Sequence, residues 1–413
     1  MRIAYITAGA GGTICGNCLR DNTLAAAMIA LGEDVTLLPV YTPIRTDEKD
    51  VSEGSVYLGG VNIYLQQRSA LFRKLPKALD RILDTPALLR WVSRFAVKTL
   101  PEDLGALTVA TIQGAQGPLA KEIDRLIEHL GDLGPEIVHL TNSMLVGLAG
   151  PIKERLRIPV VCSLQGEDVY LDGLPEPYRT QAYDELRKQA EAVELFVAPC
   201  RNHAEALAGR VGRTARNIAV VYPGIRIDDL KPADRLPEDF TVGYLARIAP
   251  EKGLDLLANA LPDGARLKAA GWVSPEHDVW VRGVQAAAGL EELEILRDVD
   301  RAQKIRFLQS IHALSVPTRY GASKGLYLLE AWAAGVPVVQ PRIGAFPELV
   351  EATGGGLLVP PNSSLALKEA LERLRNHPDE ARELGAKGRK AVQENFTAAD
   401  MARNTLNVYR KLL

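Results

Sequence analysis

The sequence predicts an α/β chain of two doubly wound domains, each a parallel sheet covered by helices. Three observations carry this. The 413 residues are more than one hydrophobic core of ordinary size accommodates. Short apolar runs of strand length alternate with longer amphipathic stretches. The alternation also comes in two successive series, separated by the polar, proline-containing KPADRLPEDF at 231–240.

The first series opens with a strand over 2–7 (RIAYIT), the glycine-rich loop GAGGTICGN and a helix over 19–31. Further strands are predicted at 34–40, 138–140, 158–164, 195–199 and 218–224, with helices at 144–156, 180–192 and 201–209. The second series runs from a strand at 241–246 through a helix at 253–261, strand RLKAAG, a helix at 276–288, strand LEIL and a helix at 301–310. Then come LSV at 314–316, a helix at 325–334, strand 336–340 and the short GLLVP. Residues 363–413 read as a run of helices, the last following the break at ENFT. The expected boundaries are 1–235 and 236–395. In sheets of this kind ligands sit beyond the carboxyl ends of the strands, and two such domains facing each other make the central cleft the default site.

Composition narrows the class. With 47% hydrophobic and 24% charged residues the chain is globular rather than disordered or fibrous. Its 49 basic and 51 acidic side chains leave a formal charge of -2, so no global field draws nucleic acid, and nucleic acid is not an expected partner. The start, MRIAYITAGAGG, turns from apolar to glycine-rich too soon for a signal peptide or a spanning helix, and the other apolar runs are strand-sized. A cytoplasmic chain not integral to a membrane is expected. Cys15 and Cys18 form a C-x-x-C, open to readings as loop or buried thiols, a redox couple or half a metal site. No second ligand pair follows at suitable spacing and the histidines are scattered, so no metal is expected to be required.

Residues 70–98 carry Arg73, Lys74, Lys77, Arg81, Arg90, Arg94 and Lys98 against Asp80 and Asp84, with Trp91 and Phe95 between them. Either the apolar side chains pack on the domain and the charges face water, or a basic hairpin rests on an anionic membrane surface or acidic acceptor. The second alternative would place the chain peripherally at the inner face of the membrane.

Three segments hold candidate chemistry. Gly9, Gly11, Gly12, Gly16 and Asn17 lie between strand and helix, where glycines let backbone amides approach an anion. This is not the dinucleotide fingerprint, because Ile14 stands where a third glycine is needed. In GYLARIAPEKG, residues 243–253, Arg247 and Lys252 sit between a strand and a helix, and a guanidinium fork and an ammonium bind phosphoryl oxygens in complementary ways. In GASKGLYLLEAWAAGVPVVQPRIGAFPE, residues 321–348, Gly325 opens a helix whose first amides, Gly325 and Leu326, suit a phosphate. Glu330 lies in an otherwise apolar stretch of that helix and needs a partner, either a ligand hydroxyl such as a ribose diol or a core arginine. Glu348 and LVPP are weaker candidates beside it.

Together these segments resemble the retaining, nucleotide-sugar-dependent glycosyltransferases of GT-B architecture, the group that includes glycogen and sucrose synthases and many lipopolysaccharide glycosyltransferases. The likeness covers nearly the whole chain and is most specific in GYLARIAPEKG and KGLYLLEAWAAGVPVVQPRIGAFPE. It implies two Rossmann-like domains and a nucleoside diphosphate sugar as donor substrate, with no permanently bound cofactor. The acceptor would be a carbohydrate, lipid or other hydroxyl compound. Arg247 and Lys252 would hold the donor diphosphate, Glu330 the ribose, and Gly325 and Leu326 the phosphates, with Ser323 and Lys324 beside them. Arg297, Asp298 and Val299 would frame the base, and Gly12 would approach the diphosphate. Residues 396–413 would pack back on the first domain.

Two departures from the resembled pattern stand out. Ala322 occupies the place of the first of two glutamates spaced around the donor sugar, and a methyl cannot accept a sugar hydroxyl's bond. In SLQGEDVYLDG, residues 163–173, Gln165 stands where relatives carry a histidine near the acceptor; it hydrogen-bonds but is no base at neutral pH. Asp168 nearby is either a substrate contact or a helix cap. The main reading is therefore a retaining glycosyltransferase in which Arg247 and Lys252 oppose the leaving diphosphate's charge, with Gln165 and Asp168 near the reacting groups. The alternative is a catalytically weakened or inactive nucleotide-sugar-binding protein of the same fold.

Overall fold

The computed structural model describes residues 1–9, 15–57, 101–117, 119–289 and 293–413. Gly11, Gly12 and the basic stretch 70–98 lie outside the described residues. The chain forms two compact units, one of Met1–Val221 with Ala402–Leu413, the other of Tyr222–Met401.

The first unit is built on strands β1 (Arg2–Thr7), β2 (Asp34–Pro39), β3 (Ile137–Leu140), β4 (Val160–Ser163), β5 (Leu195–Ala198) and β6 (Ile218–Val220). They lie in the order β2-β1-β3-β4-β5-β6, every neighbouring pair parallel. Helices on both faces explain the composition of the strands. β3 and β4 are buried at every position, so they read as continuous apolar runs rather than alternating ones. The helices are α1 (Gly16–Ala30), α2 (Pro101–Gln113), α3 (Ala120–Leu133), α4 (Ala149–Leu156), α5 (Asp168–Asp172), α6 (Tyr178–Gln189) and α7 (Arg201–Ala208).

Three of these, α2, α3 and the short α5, were not assigned from the sequence. α3 has a clear amphipathic signature all the same: Ile123, Leu126, Ile127 and Leu130 are its buried stripe, and it ends on Gly134 in the left-handed region. The helix expected over 144–156 begins instead as a 3-10 segment, Ser143–Leu148, which hands over to α4.

The second unit repeats the plan with β7 (Thr241–Leu245), β8 (Arg266–Gly271), β9 (Leu293–Arg297), β10 (Ala313–Leu314), β11 (Val338–Pro341) and β12 (Gly356–Val359). Their order is β12-β11-β10-β7-β8-β9, again parallel throughout. Its helices are α8 (Leu254–Ala258), α9 (Asp278–Ala287), α10 (Arg301–Leu308), α11 (Leu326–Ala333), α12 (Phe346–Thr353), α13 (Ser364–Asn376) and α14 (Pro378–Asn395). Trp332 of α11 is fully buried and donates to the Gly355 carbonyl at 2.7 Å, which fixes α11 against the entry to β12.

The division between units falls at Val221/Tyr222, where the sequence reading placed it near 235. The polar stretch 231–240 lies within the second unit because the chain packs there from Ile225 onward. Ile225 and Leu230 are buried, Arg389 of α14 donates to the Leu230 carbonyl at 3.0 Å, and Arg301 of α10 bonds Asp229 at 2.7 Å. The return crossing comes at Met401/Ala402, inside the last helix, α15 (Ala398–Tyr409). Thr397 and Asp400 bond each other's backbone and side chain at its start, the reciprocal pattern of a helix N-cap. Its other end is held in the first unit, where the Tyr409 hydroxyl meets His139 of β3.

Candidate functional site

Each sheet reverses its strand order at one place, between β1 and β3 in the first unit and between β7 and β10 in the second. Crevices beyond the carboxyl ends of strands at such reversals are where doubly wound sheets bind ligands. In the second unit most candidate residues fall on the loops that leave these strands, whereas Gln165 and Asp168 of the first unit follow the neighbouring β4.

In the second unit the loop after β7 carries Arg247 and Lys252, and the loop after β10 carries Ala322 through Gly325. Arg319 joins the two. Its backbone N–H donates to the Glu251 carbonyl at 2.9 Å, and its guanidinium grips Asp255 of α8 at 2.6 and 2.9 Å while also donating to the Pro250 carbonyl. Lys252 lies with its ammonium 4.8 Å from the centre of the Tyr320 ring, a cation-π contact between the same two loops. Gly253, at φ +77, has to be glycine for two reasons: the left-handed conformation, and the Pro317 carbonyl standing where a Cβ would go. The spacing of Arg247, Lys252 and Gly253 thus follows from how closely the two loops approach.

Arg247 is half exposed and ion-pairs with Glu251 one turn on. Beneath it, the Tyr244 hydroxyl donates to the Arg247 carbonyl at 3.2 Å. Burial, and then the neighbouring Tyr327, push the Tyr244 phenol well above its usual range, so it stays a neutral donor.

Gly325, at φ +63, sets the left-handed turn from which α11 departs, and Leu326 is the first helical residue. Ala322 is buried, and its carbonyl accepts from Ala345 in the loop after β11. Glu330 is buried on α11, and its partner within the protein is a lysine rather than the core arginine. Lys304 of α10 meets Glu330 Oε1 at 2.5 Å, with only 7% and 5% of the two side chains exposed. The sequence reading did not single out Lys304; a lysine in the apolar stripe of a short helix was the signal available. The expected base-framing residues follow the edge strand β9, with β8 between it and β7. There Arg297 pairs with Asp278 at 2.6 Å, Asp298 adopts a left-handed φ of 49° and Val299 is buried. A separate cavity of about 760 Å³ lies at the amino ends of β7, β10 and β11, beside Phe240, His312 and Val336, and shares no loop with these residues.

In the first unit a buried polar hub occupies the reversal between β1 and β3. Asp21 of α1, wholly buried, accepts from Tyr5 (2.9 Å), Thr7 (2.9 Å), Thr141 (2.5 Å) and Arg20 (3.1 Å). Gln165 points into this hub. Its amide donates to the Thr141 carbonyl at 2.6 Å and Thr141 Oγ1 at 2.7 Å, and it is only 6% exposed. Glu167 then ties the loop down, accepting from the Ser143 backbone, the Ser143 hydroxyl and the Gln165 backbone at 2.6–2.7 Å. Asp168 opens the short α5 without capping it, and its Oδ1 is buried with no hydrogen-bond partner among the described residues. Of the two sequence readings for Asp168, helix capping is therefore set aside.

Asp21 and Arg20 were missed because polar residues inside a helix normally face water, and only the fold shows that Arg20 through Thr23 are all buried. The four cysteines are free thiols. A hydrogen bond with Cys15, reinforced by burial, raises the Cys18 thiol far above its usual range, which disfavours a reactive thiolate. Among the described residues no group of three or more His, Cys, Asp and Glu could hold a metal ion, and no helix is long and apolar enough to cross a membrane.

His139 bridges the hub to the last helix, with Nε2 2.8 Å from Ser163 Oγ and Nδ1 on the Tyr409 hydroxyl. Burial, and secondarily the Arg20 charge, drive its pKa well below 6.5. The folded protein therefore keeps His139 neutral, while the unfolded chain takes up a proton below about pH 6.5. Stability supplied by this site is intact above that pH and is lost as the pH falls, at up to about 1.4 kcal/mol per pH unit. His312, also depressed by burial, acts in the same direction. Urea midpoints measured from pH 7.5 to 5.5 should fall, with a shallower slope in His139→Gln whatever that variant's absolute stability.

Residues 227–391 match the family of glycosyl transferases group 1, and residues 108–229 match glycosyltransferase family 4. A D-inositol 3-phosphate glycosyltransferase of Nocardioides sp. is 27% identical over 344 residues, 74% of this chain and 73% of that protein. A phosphatidyl-myo-inositol mannosyltransferase of Mycobacterium leprae is 32% identical over 203 residues, 46% of this chain and 53% of that protein. Among solved structures, sucrose-phosphate synthase from Thermosynechococcus elongatus superposes with a TM-score of 0.74 at 19% identity, over 100% of this chain and 99% of that one. Anabaena HepE in complex with UDP does so at 0.70 and 16% identity over the whole of both chains. With its two parallel sheets, the loops at their reversals and these matches, the chain is a GT-B-fold glycosyltransferase related to the glycosyl transferases group 1 and glycosyltransferase family 4 enzymes, transferring sugar from a nucleoside diphosphate sugar.

Proposed function

We propose that the protein moves the sugar to an acceptor hydroxyl with retention of the anomeric configuration. In this reading Arg247 and Lys252 bind the donor diphosphate and oppose the charge that builds on it as the anomeric bond breaks. The observation that supports it most directly is the joining of the loops after β7 and β10. Their contacts hold the Arg247–Lys252 segment against Arg319 and Tyr320, in the loop that leads to α11, whose first amides suit phosphoryl oxygens.

Glu330 accepts from the ribose, Gly325 and Leu326 offer amides, and Ser323 and Lys324 lie next to them in the chain. Arg297, Asp298 and Val299 border the base. No carboxylate is assigned as nucleophile, and a leaving-phosphate oxygen takes the acceptor proton. Gln165, turned into the hub, serves the site by holding its loop in place, and the half-buried carboxylate of Asp168 is the polar contact for the acceptor or the donor sugar.

The test is a screen of nucleoside diphosphate sugars against hydroxyl acceptors, inositol-bearing ones included because of the relatives' activities. Nucleotide release is measured and the product's anomeric configuration read by NMR. Retention is expected, and an inverted product would refute the proposal. The buried methyl of Ala322 favours a second reading, in which the donor sugar lacks one hydroxyl contact and turnover is weak. Repeating the screen with Ala322→Glu separates the two, since a gain in turnover would show that alanine removed a working contact.

A further inference from the structure

The ion pair between Lys304 and Glu330 is poorly explained by stability. Both groups are more than nine-tenths buried. Taking each charge out of water costs several kcal/mol, and a well-packed apolar pair of similar volume commonly holds two helices together as well or better. α10 and α11 already carry apolar residues, Phe307 and Leu308 on one and Leu328, Leu329 and Trp332 on the other, all almost wholly buried.

What the pair does achieve is control of one carboxylate. A carboxylate has two oxygens and about four acceptor positions, and without a fixed partner its direction on the helix is not set. Lys304 Nζ stands 2.5 Å from Oε1 of Glu330, which fixes one end of the group. The other oxygen, Oε2, takes no part in this contact.

We propose that Lys304 is a positioning residue for nucleotide recognition, holding the Glu330 carboxylate by Oε1 so that Oε2 accepts from the ribose hydroxyls. The inference rests on the reading of Glu330 as the ribose acceptor. It predicts a specific defect. Without Lys304 the protein should lose its preference for a ribose diol, whereas a purely structural partner would affect ribo- and deoxynucleotides alike.

The experiment uses the full chain and titration calorimetry with UDP, GDP and ADP. The best-bound of the three is then compared with its 2′-deoxy and 3′-deoxy forms. Wild type should prefer the ribonucleotide by about 10- to 100-fold over at least one deoxy form, as expected for a hydrogen bond to a charged acceptor. In Lys304→Met this preference should shrink to about 3-fold or less, with the deoxynucleotide's affinity nearly unchanged. Glu330→Gln should show the same collapse.

A folded Lys304→Met that keeps the full preference, beside a Glu330→Gln that loses it, would overturn the inference and leave the ribose reading standing. A wild type indifferent to the ribose hydroxyls would overturn both. If Lys304→Met does not fold, Lys304→Gln is read in its place. Its side chain is one bond shorter and offers no ammonium, so the grip on Oε1 weakens, and an undiminished preference in it would equally refute the role.

Discussion

Replacing Arg247 with alanine should lower kcat by about 10²- to 10³-fold, the usual effect of deleting one preorganised group that stabilises developing negative charge. Stability should change by less than about 0.5 kcal/mol. The asymmetry comes from the side chain's setting. Arg247 is half exposed and its ion-pair partner, Glu251, is 40% exposed on the next turn. Pairs of that kind contribute about 0–1 kcal/mol, much of it screened by salt. The guanidinium therefore has little to do in holding the fold, yet it projects from the strand-to-helix loop at the reversal point of the sheet, where the proposed diphosphate would lie.

Steady-state transfer assays beside urea unfolding would test both halves of this expectation. Retention of full activity in the alanine variant would remove Arg247 from the mechanism. Arg247→Lys is informative as well, because it keeps the charge but gives up the planar fork that binds two phosphoryl oxygens at once. Its activity should fall between wild type and alanine.

The second large effect concerns the fold. Asp21→Asn should destabilise the protein by about 3–5 kcal/mol, the range seen when one partner of a buried charge pair is removed. Asp21 is completely buried and accepts from three hydroxyls, from Arg20 and, at 3.3 Å, from Gln165. The asparagine amide would turn hydrogen atoms toward groups that are already donating, and Arg20, 4% exposed, would lose its counter-ion.

The double variant Arg20→Met/Asp21→Asn should lose less than the sum of the single losses, because the two side chains share one network. Urea midpoints of the four proteins at one pH provide the comparison. Additive losses would mean that the carboxylate and guanidinium act independently despite their contact. The hub also connects the ends of three strands, since Thr7 closes β1, Thr141 follows β3 and Ser163 closes β4. Its loss should therefore be felt wherever the loop of Gln165 and Glu167 is needed.

Much of this organisation is visible in the chain itself. Near-continuous apolar strands such as Ile137–Leu140 and Val160–Ser163, broken only by His139 and Ser163, announce a sheet covered on both faces, because alternation appears only where one face meets water. Glycines at 253 and 325 mark left-handed turns ahead of helices, and both occur there. Other features are invisible to that kind of reading. The helix pair α2 and α3 follows a long stretch without clear strand signals and so escaped assignment. The boundary near 235 was drawn from local polarity, while the real division depends on which core receives Ile225 and Leu230.

By itself the sequence determined the parallel α/β class, the doubling of the fold and the strand-to-helix loops that carry Arg247, Lys252 and Gly325, because apolar periodicity and glycine conformation are local properties. Only the tertiary structure decided that Glu330 answers to Lys304, that Gln165 turns inward to Asp21 and Thr141, and that His139 holds Tyr409 from the far end of the chain. The physical reason is that a buried polar group must be matched, and its partner is whichever residue the packing of distant segments brings within reach.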